Sequence, residues 1–334
     1  MLSRRSLIVA LAAALAAVPL TARTAAPPLR QAQDRLSDAP AEITIAYQPG
    51  LSYSSLIVMR EQRSLEKQFP QTKVNWTVLG STAAVRDGFI AGQIQIGAGS
   101  IPPFLTGWDR GVGWKVLASL NQMSVWLVTR DKSVRTLKDL KPDMKIGMPS
   151  IDSLQSLTLR KAAAEQLGNA HALDTSIVAI DHPSGLQALQ VGQLAAHLSA
   201  PPFQYQEVQA GGHVVLRSFD VFGKHTFNSV YVSPKFADEH PQFVKTFYRD
   251  LLDATQFLKA RPREASEILS KDAGGKVSAR EFEGWLRRPD VIFSTTPHGF
   301  LAMAKFMQSI GSLSKVPSSM RDIDYAGTLG GVGD

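Results

Sequence analysis

The sequence predicts an α/β protein of two lobes joined by two crossover segments. Three observations carry that expectation. A strand, a turn of small residues and a helix follow one another three times before residue 110. The same order returns between residues 145 and 209, and after Ser233 the pattern is mainly helical. Strands that alternate with helices build parallel sheets, and a second such series set inside the first makes two lobes with two connections.

The first series begins at Glu42–Tyr47 (EITIAY), an alternating strand that turns at Gln48-Pro49-Gly50 into a helix over 54–68. Lys73–Leu79 (KVNWTVL) is the second strand; it ends in Gly80-Ser81-Thr82 and a helix through Ala91. The stretch from Gly92 to Leu120 organises the rest. Ile94, Ile96 and Ala98 alternate as a strand, Gly97, Gly99 and Ser100 make a turn, and Pro102 and Pro103 open a helix expected over 103–110. Trp114–Leu120 and Ser124–Thr129 then read as strands. In a parallel sheet the turns after Tyr47, Leu79 and Ala98 emerge on one side, where open α/β sheets bind ligands.

The second series opens at Lys145–Met148 and passes through Pro149, Ser150 and Ser153 into a helix over 154–167. Strand and helix pairs follow over 176–180 and 184–191. A strand over 194–198 ends at Ser199-Ala200-Pro201-Pro202 and leads to a helix reaching Gln209; Val214–Arg217 is a further strand. Residues 221–225 read as the return connection and Ser229–Val232 as a strand. Apolar residues at helical spacing, from Phe243 to Phe257, mark a long helix over 241–259. Shorter helices are expected over 263–270, 278–286 and 297–310. The expected division is a first lobe of residues 42–128 and 222–334 and a second lobe of residues 129–221.

At the N-terminus, Arg4 and Arg5 precede an apolar run from Leu7 to Leu20 and then small residues, the grammar of an export signal over residues 1–26. Ser3-Arg4-Arg5-Ser6-Leu7 fits the Sec route and the twin-arginine route alike. Pro27–Ala41, rich in Pro, Ala and Gln, reads as a tether. No later run reaches 18 apolar residues. Removing Arg4, Arg5 and Arg23 lowers the formal charge from +7 to +4. No dense basic block interleaved with aromatics is present, so a nucleic-acid partner is not expected. The chain has no cysteine, which excludes disulfides, thiolate metal sites and cysteine nucleophiles together. The seven histidines lack metal-ligand spacing, and neither a serine-hydrolase elbow nor a phosphate-binding loop occurs. No catalytic residue, metal or cofactor is expected.

Residues 42–260 resemble a known family. Ile43–Gln48, the block GFIAGQIQIGAGSIPP (88–103), the strands Trp114–Leu120 and Ser124–Thr129, VRTLKDLKPDMKIGMP (134–149) and Ser199–Pro202 carry the likeness. The sequence is similar to the ABC-transporter solute-binding proteins of the sulfonate, taurine and nitrate type. The resemblance implies the type II periplasmic-binding-protein fold and a monomer in the periplasm. It also implies capture of a small anionic solute between the lobes, and an ABC permease in the inner membrane as partner. Pro142-Asp143-Met144 replaces the Lys-Gly that many members carry, and Ser199-Ala200-Pro201 stands where many have Asp or Trp. An exported enzyme on the same fold, akin to pyrimidine-synthesis relatives, and a ligand-sensing module for a receptor kinase are the alternatives.

The candidate ligand-binding residues sit at the strand-end turns. Gly80, Ser81, Thr82, Gly99 and Ser100, with Ile101 and Pro102 at the helix start, offer hydroxyls and backbone N–H groups to an anion. Ser150, Ser153 and Gln155 are the matching donors of the second lobe, and Ser199 and Pro201 form a wall beside them. Tyr47, Gln48 and Tyr53 flank the first turn, with the tyrosines suited to an organic portion of the ligand. Asn228 precedes the returning strand.

Overall fold

A computed structural model describes residues 38–325. The expected signal segment, most of the expected tether and the glycine-rich end from Gly327 lie outside these residues. Residues 38–41 belong to the folded part rather than to a tether. The Asp38 carboxylate accepts from the backbone N–H groups of Gln242 and Phe243, and the Pro40 carbonyl accepts from Thr72 Oγ1.

Among the described residues the strands are β1 (Glu42–Tyr47), β2 (Lys73–Val78), β3 (Ile96–Ser100), β4 (Lys115–Ser119), β5 (Asn121–Met123), β6 (Trp126–Thr129), β7 (Ile146–Met148), β8 (Ile177–Ala179), β9 (Ala196–Ser199), β10 (His213–Arg217), β11 (Asn228–Val232) and β12 (Val291–Phe293). The first sheet runs β2-β1-β3-β11-β4 and the second β10-β6-β9-β7-β8. β1 is parallel to β2 and β3, with Ala46 opposite Thr77 and Gly97, whereas β11 is antiparallel to both β3 and β4. The ends of β1, β2 and β3 and the start of β11 therefore share one edge. Trp126–Thr129 pairs with β9 and β10, so it belongs to the second sheet. The first crossing thus falls before Trp126, not at the expected boundary of 128 and 129. β5 and β12 form a small antiparallel pair that local pattern did not reveal. Three residues each are too few to show a period.

The two crossings touch. Ser218 Oγ accepts from Val125 N–H and bonds His225 Nε2, while His225 Nδ1 reaches the Thr226 carbonyl. His225 is wholly buried, and burial lowers its pKa from 6.5 to about 4. The neutral ring then donates from Nδ1 and accepts at Nε2.

Apolar periodicity accounts for most helices. Helix Pro241–Ala260 buries Phe243, Val244, Phe247, Leu251 and Leu258, and Phe243 meets Phe69 with ring centroids 4.7 Å apart. Burying each such side chain contributes about 1.5–3 kcal/mol. The helix expected over 54–68 is instead two, Ser54–Glu61 and Ser64–Gln68, because Arg63 takes a left-handed backbone conformation (φ 53°). The break allows Leu65 and Phe69 to turn fully into the core. Helix Ile101–Asp109 starts two residues before the expected 103, with both prolines inside its first turn. Phe104 from that helix stacks on Tyr231 of β11 at 4.5 Å and packs against Trp114 and Phe300, joining the C-terminal helix Phe300–Ser309 to the first sheet.

The lobes repeat one unit at an offset of one hundred residues. Helix Thr82–Ile90 corresponds to helix His182–Gln190, each capped by the side chain before it: Ser81 Oγ accepts from Ala84 N–H and Asp181 Oδ1 from Ser184 N–H. Both helices end in the same turn. Gln93 N–H bonds the Gly88 carbonyl and Gln193 N–H the Ala188 carbonyl, each at 2.9 Å. β3 and β9 follow at the same offset. Among the described residues, no helix is long and apolar enough to cross a membrane.

Candidate ligand-binding cleft

The strand-end edge of the first sheet faces the corresponding edge of the second across a narrow cleft. Of the residues expected at a site, Gln48, Tyr53, Thr82, Ser100 and Asn228 line it from the first lobe. Ser150, Ser153 and Gln155 line it from the second. Pro49, Ser52, Pro149, His182, Ala200 and Phe227 complete the wall. None of these fourteen is a lysine, arginine, aspartate or glutamate.

Four helices begin at this cleft, two from each lobe. They are Thr82–Ile90, Ile101–Asp109, Leu154–Leu167 and His182–Gln190, represented in the lining by Thr82, Ser100, Ser153 with Gln155, and His182. Each start carries roughly half a positive charge from its aligned peptide dipoles. Pro102 and Pro103 remove two N–H groups from the start of the second helix, so its contribution is dipolar more than hydrogen-bonding. Ser153 Oγ is spent as a cap on Ser156 N–H, whereas Ser100 makes no side-chain cap bond.

Thr82 is the hub of the first lobe's side. Its Oγ1 accepts from Gln48 Nε2 at 3.1 Å and from Ser100 N–H at 3.0 Å, tying together the turns after β1, β2 and β3. Asn228 Nδ2 donates to Ser52 Oγ at 2.8 Å, but Asn228 Oδ1, in a residue 1% exposed, is buried without a partner. Burial raises the Tyr53 hydroxyl well above its ordinary pKa, keeping it protonated and able to donate. Across the cleft, Gln155 Nε2 lies 3.1 Å from His182 Nε2. Burial, then the nearby His197, depresses the His182 pKa well below 6.5, so the ring is neutral.

Eight expected residues lie elsewhere. Ser81 caps its helix, and Gly80 sits against Asp181. Gly99 lies beneath the Thr82 side chain, where a Cβ would come within 2.2 Å of Thr82 Cγ2. Ile101 and Pro102 are buried in the first turn of their helix. Ser199 Oγ donates to Glu207 Oε2 at 2.7 Å behind the cleft. Pro201 contributes its carbonyl, which accepts from Leu51 N–H at 3.0 Å and so joins the two lobes by main chain. Tyr47 faces a neighbouring, wider groove, and its hydroxyl accepts from Arg60. Desolvation pushes that phenol up to about 12. A second interlobe tie is the ion pair of Arg86 with Asp152, 2.6 Å.

The sequence offered no local sign of His182 or Ser52. The signal for His182 was the repeat itself, since Gly92-Gln93-Ile94 and Gly192-Gln193-Leu194 align at the one-hundred-residue offset that superposes Thr82 on His182.

Two α/β lobes with strand-end edges facing a shared cleft are the architecture of the periplasmic binding proteins. The chain belongs to the NMT1-like family, which it matches over residues 37–271. It is 23% identical over 241 residues to a protein of Escherichia coli (strain K12) named for binding aliphatic sulfonates, covering 71% of this chain and 73% of that one. Its fold is similar to that of the alkanesulfonate-binding protein SsuA from Xanthomonas axonopodis pv. citri, solved bound to MOPS, with a TM-score of 0.68, 20% identity and coverage of 83% and 96%. It is also similar to that of the periplasmic nitrate-binding protein NrtA from Synechocystis PCC 6803. There the TM-score is 0.69, with 16% identity and coverage of 88% and 87%.

Proposed function

We propose that this chain captures a small organic or inorganic anion outside the cytoplasm, of the sulfonate, taurine or nitrate kind, and delivers it to an ABC permease. The observation that carries this reading is the convergence of four helix N-termini from two lobes on a cleft without an anionic side chain. Helix starts of this kind favour negative charge without a cationic residue. The names of the relatives support the ligand class, and the apolar run at the N-terminus supports export to the periplasm.

In this mechanism the solute's anionic group rests between Thr82 and Ser100 on one side and Ser150 and Ser153 on the other, and Gln155 meets another part of the solute. Tyr53 and Asn228 close the floor. The Leu51–Pro201 and Arg86–Asp152 ties hold the lobes shut around it, and the permease reads the closed shape. No bond is made or broken in the solute, and the chain acts as a carrier, not an enzyme. Calorimetric titration with methanesulfonate, ethanesulfonate, taurine and nitrate tests this reading. Saturable binding of at least one supports it; binding of a cation or a neutral sugar in place of all four overturns it.

A further inference from the structure

Behind the cleft lies a row of buried polar groups that capture of an anion does not by itself require. Gln155 Nε2 meets His182 Nε2 at 3.1 Å, His182 Nδ1 meets His197 Nε2 at 3.4 Å, and His197 Nδ1 meets Glu207 Oε1 at 2.6 Å. Ser199 Oγ donates to the other Glu207 oxygen. His197 and Ser199 are wholly buried and Glu207 is 1% exposed, so water does not complete these bonds. The groups come from four elements: helix Leu154–Leu167, helix His182–Gln190, β9 and helix Phe203–Gln209. Phe203 stacks on the His182 ring at 5.7 Å.

Such a row has a direction. A carboxylate only accepts, so His197 carries a proton on Nδ1; with that one proton, the ring accepts at Nε2. His182 then carries its proton on Nδ1 and accepts at Nε2 as well. Gln155 must therefore offer its amide N–H₂ to His182, which leaves its carbonyl Oε1 for the cleft. That oxygen has no hydrogen-bond partner among the described residues. Asn228 Oδ1 is a second acceptor lining the same cleft and also lacks one. Asn228 Oδ1 is buried and unmatched, which is costly, and Gln155 Oε1 opens to the cleft, so a ligand that displaces water there must bring a donor or leave that oxygen unmatched too.

We propose that Glu207, acting through His197 and His182, orients the Gln155 amide, and that the captured anion accordingly also bears an N–H or O–H donor. Glu207 is a positioning residue in this arrangement; Gln155 and Asn228 are the groups that select. The inference rests on the capture reading above and narrows it to amino- or hydroxyl-bearing anions over bare oxyanions.

The test has two arms. In the first, ¹⁵N NMR of the histidine rings in the full-length protein reads the tautomers without any ligand. His182 and His197 both protonated on Nδ1 and bare on Nε2 is the expected result; a proton on Nε2 of either ring overturns the arrangement. Glu207→Leu should release both tautomers. Glu207→Gln should retain them, since its amide oxygen can still accept from His197 once Ser199 turns to accept from its nitrogen. The second arm compares isosteric pairs by calorimetry: sulfamate with methanesulfonate, and 2-hydroxyethanesulfonate with propane-1-sulfonate. The donor-bearing member of at least one pair should bind at least tenfold more tightly, one well-made hydrogen bond's worth. Gln155→Met, which leaves the Glu207 row in place should Glu207→Leu fail to fold, should reduce that preference to under threefold. Equal affinities within both pairs in the wild type overturn the selection while leaving anion capture standing. Failure of all four, and of taurine and nitrate as well, overturns the capture reading and with it the selection among anions, while the tautomers still decide the role of Glu207.

Discussion

Thr82 and His182, one hundred residues apart, occupy one position in two successive α/β units. Each is the first residue of a nine-residue helix, each follows a capping side chain, and each lines the same cleft from its own lobe. Their chemistry differs. Thr82 gathers two donors from its lobe onto one oxygen, whereas His182 passes a hydrogen bond inward to His197.

Thr82→Val keeps the shape and removes the acceptor. Gln48 Nε2 and Ser100 N–H, both buried, lose their shared partner. The expected cost is about 1–3 kcal/mol, from the price of stranding a buried donor. Urea denaturation followed by circular dichroism should show a lower midpoint with an unchanged slope.

Gly185 admits the His197 ring. A Cβ there would sit 2.4 Å from His197 Nε2 and 2.5 Å from Cε1, closer than real contacts allow. Gly185→Ala must therefore displace a ring held on its far side by Glu207. A loss of about 1–3 kcal/mol is expected, as for other overpacked interiors. Thermal unfolding measures it, and a variant as stable as the parent would contradict the packing described.

Acid should weaken the crossings. Between pH 6.5 and about 4 the unfolded chain protonates His225 while the folded chain does not. Stability from this residue is complete above pH 6.5 and is lost as the pH falls toward 4, amounting to roughly 3 kcal/mol. The buried His182 adds in the same direction. Denaturation midpoints at pH 7.5, 6 and 5 should fall in that order, and His225→Asn should flatten the trend.

Gly50 has φ 142°, a conformation that disfavours a side chain, and a Cβ would lie 3.3 Å from the Pro201 carbonyl of the opposite lobe. Gly50→Ala should therefore push the lobes apart while leaving each intact. Small-angle scattering should give a larger radius of gyration, with circular dichroism unchanged.

Arg86→Ala removes the ion pair with Asp152 that ties the two lobes beside the cleft. The pair is partly screened, so about 1 kcal/mol of closure is at stake. Affinity for a captured anion should fall several-fold at low salt. The gap between parent and variant should narrow at high salt.

The parts of the fold with a period were legible beforehand. Glu42–Tyr47 alternates cleanly, and Phe243 to Leu258 recur at helical spacing. Both matched because burial of one face dictates the pattern. β5 and β12 were not legible, since their pairing is set by distant chain segments. At the cleft, half of the sixteen expected residues line the wall, among them Gln48, Thr82, Ser153 and Asn228. Two of those that do not were misplaced by one structural fact: at a strand end, alternate residues point to opposite sides. Gly99 and Ser199 thus turn away from a space that Ser100 and Ala200 face. Glu207 and His197 could not be connected from the sequence, because helix Phe203–Gln209 must fold back on β9 before they meet.

The bond from Leu51 N–H to the Pro201 carbonyl uses no side chain at all. Residues around the cavity can therefore be exchanged, and its taste for one solute traded for another, without unfastening the clasp. Any relative that preserves the backbone path through residues 50–51 and 201–202 inherits the grip, whatever it has come to hold.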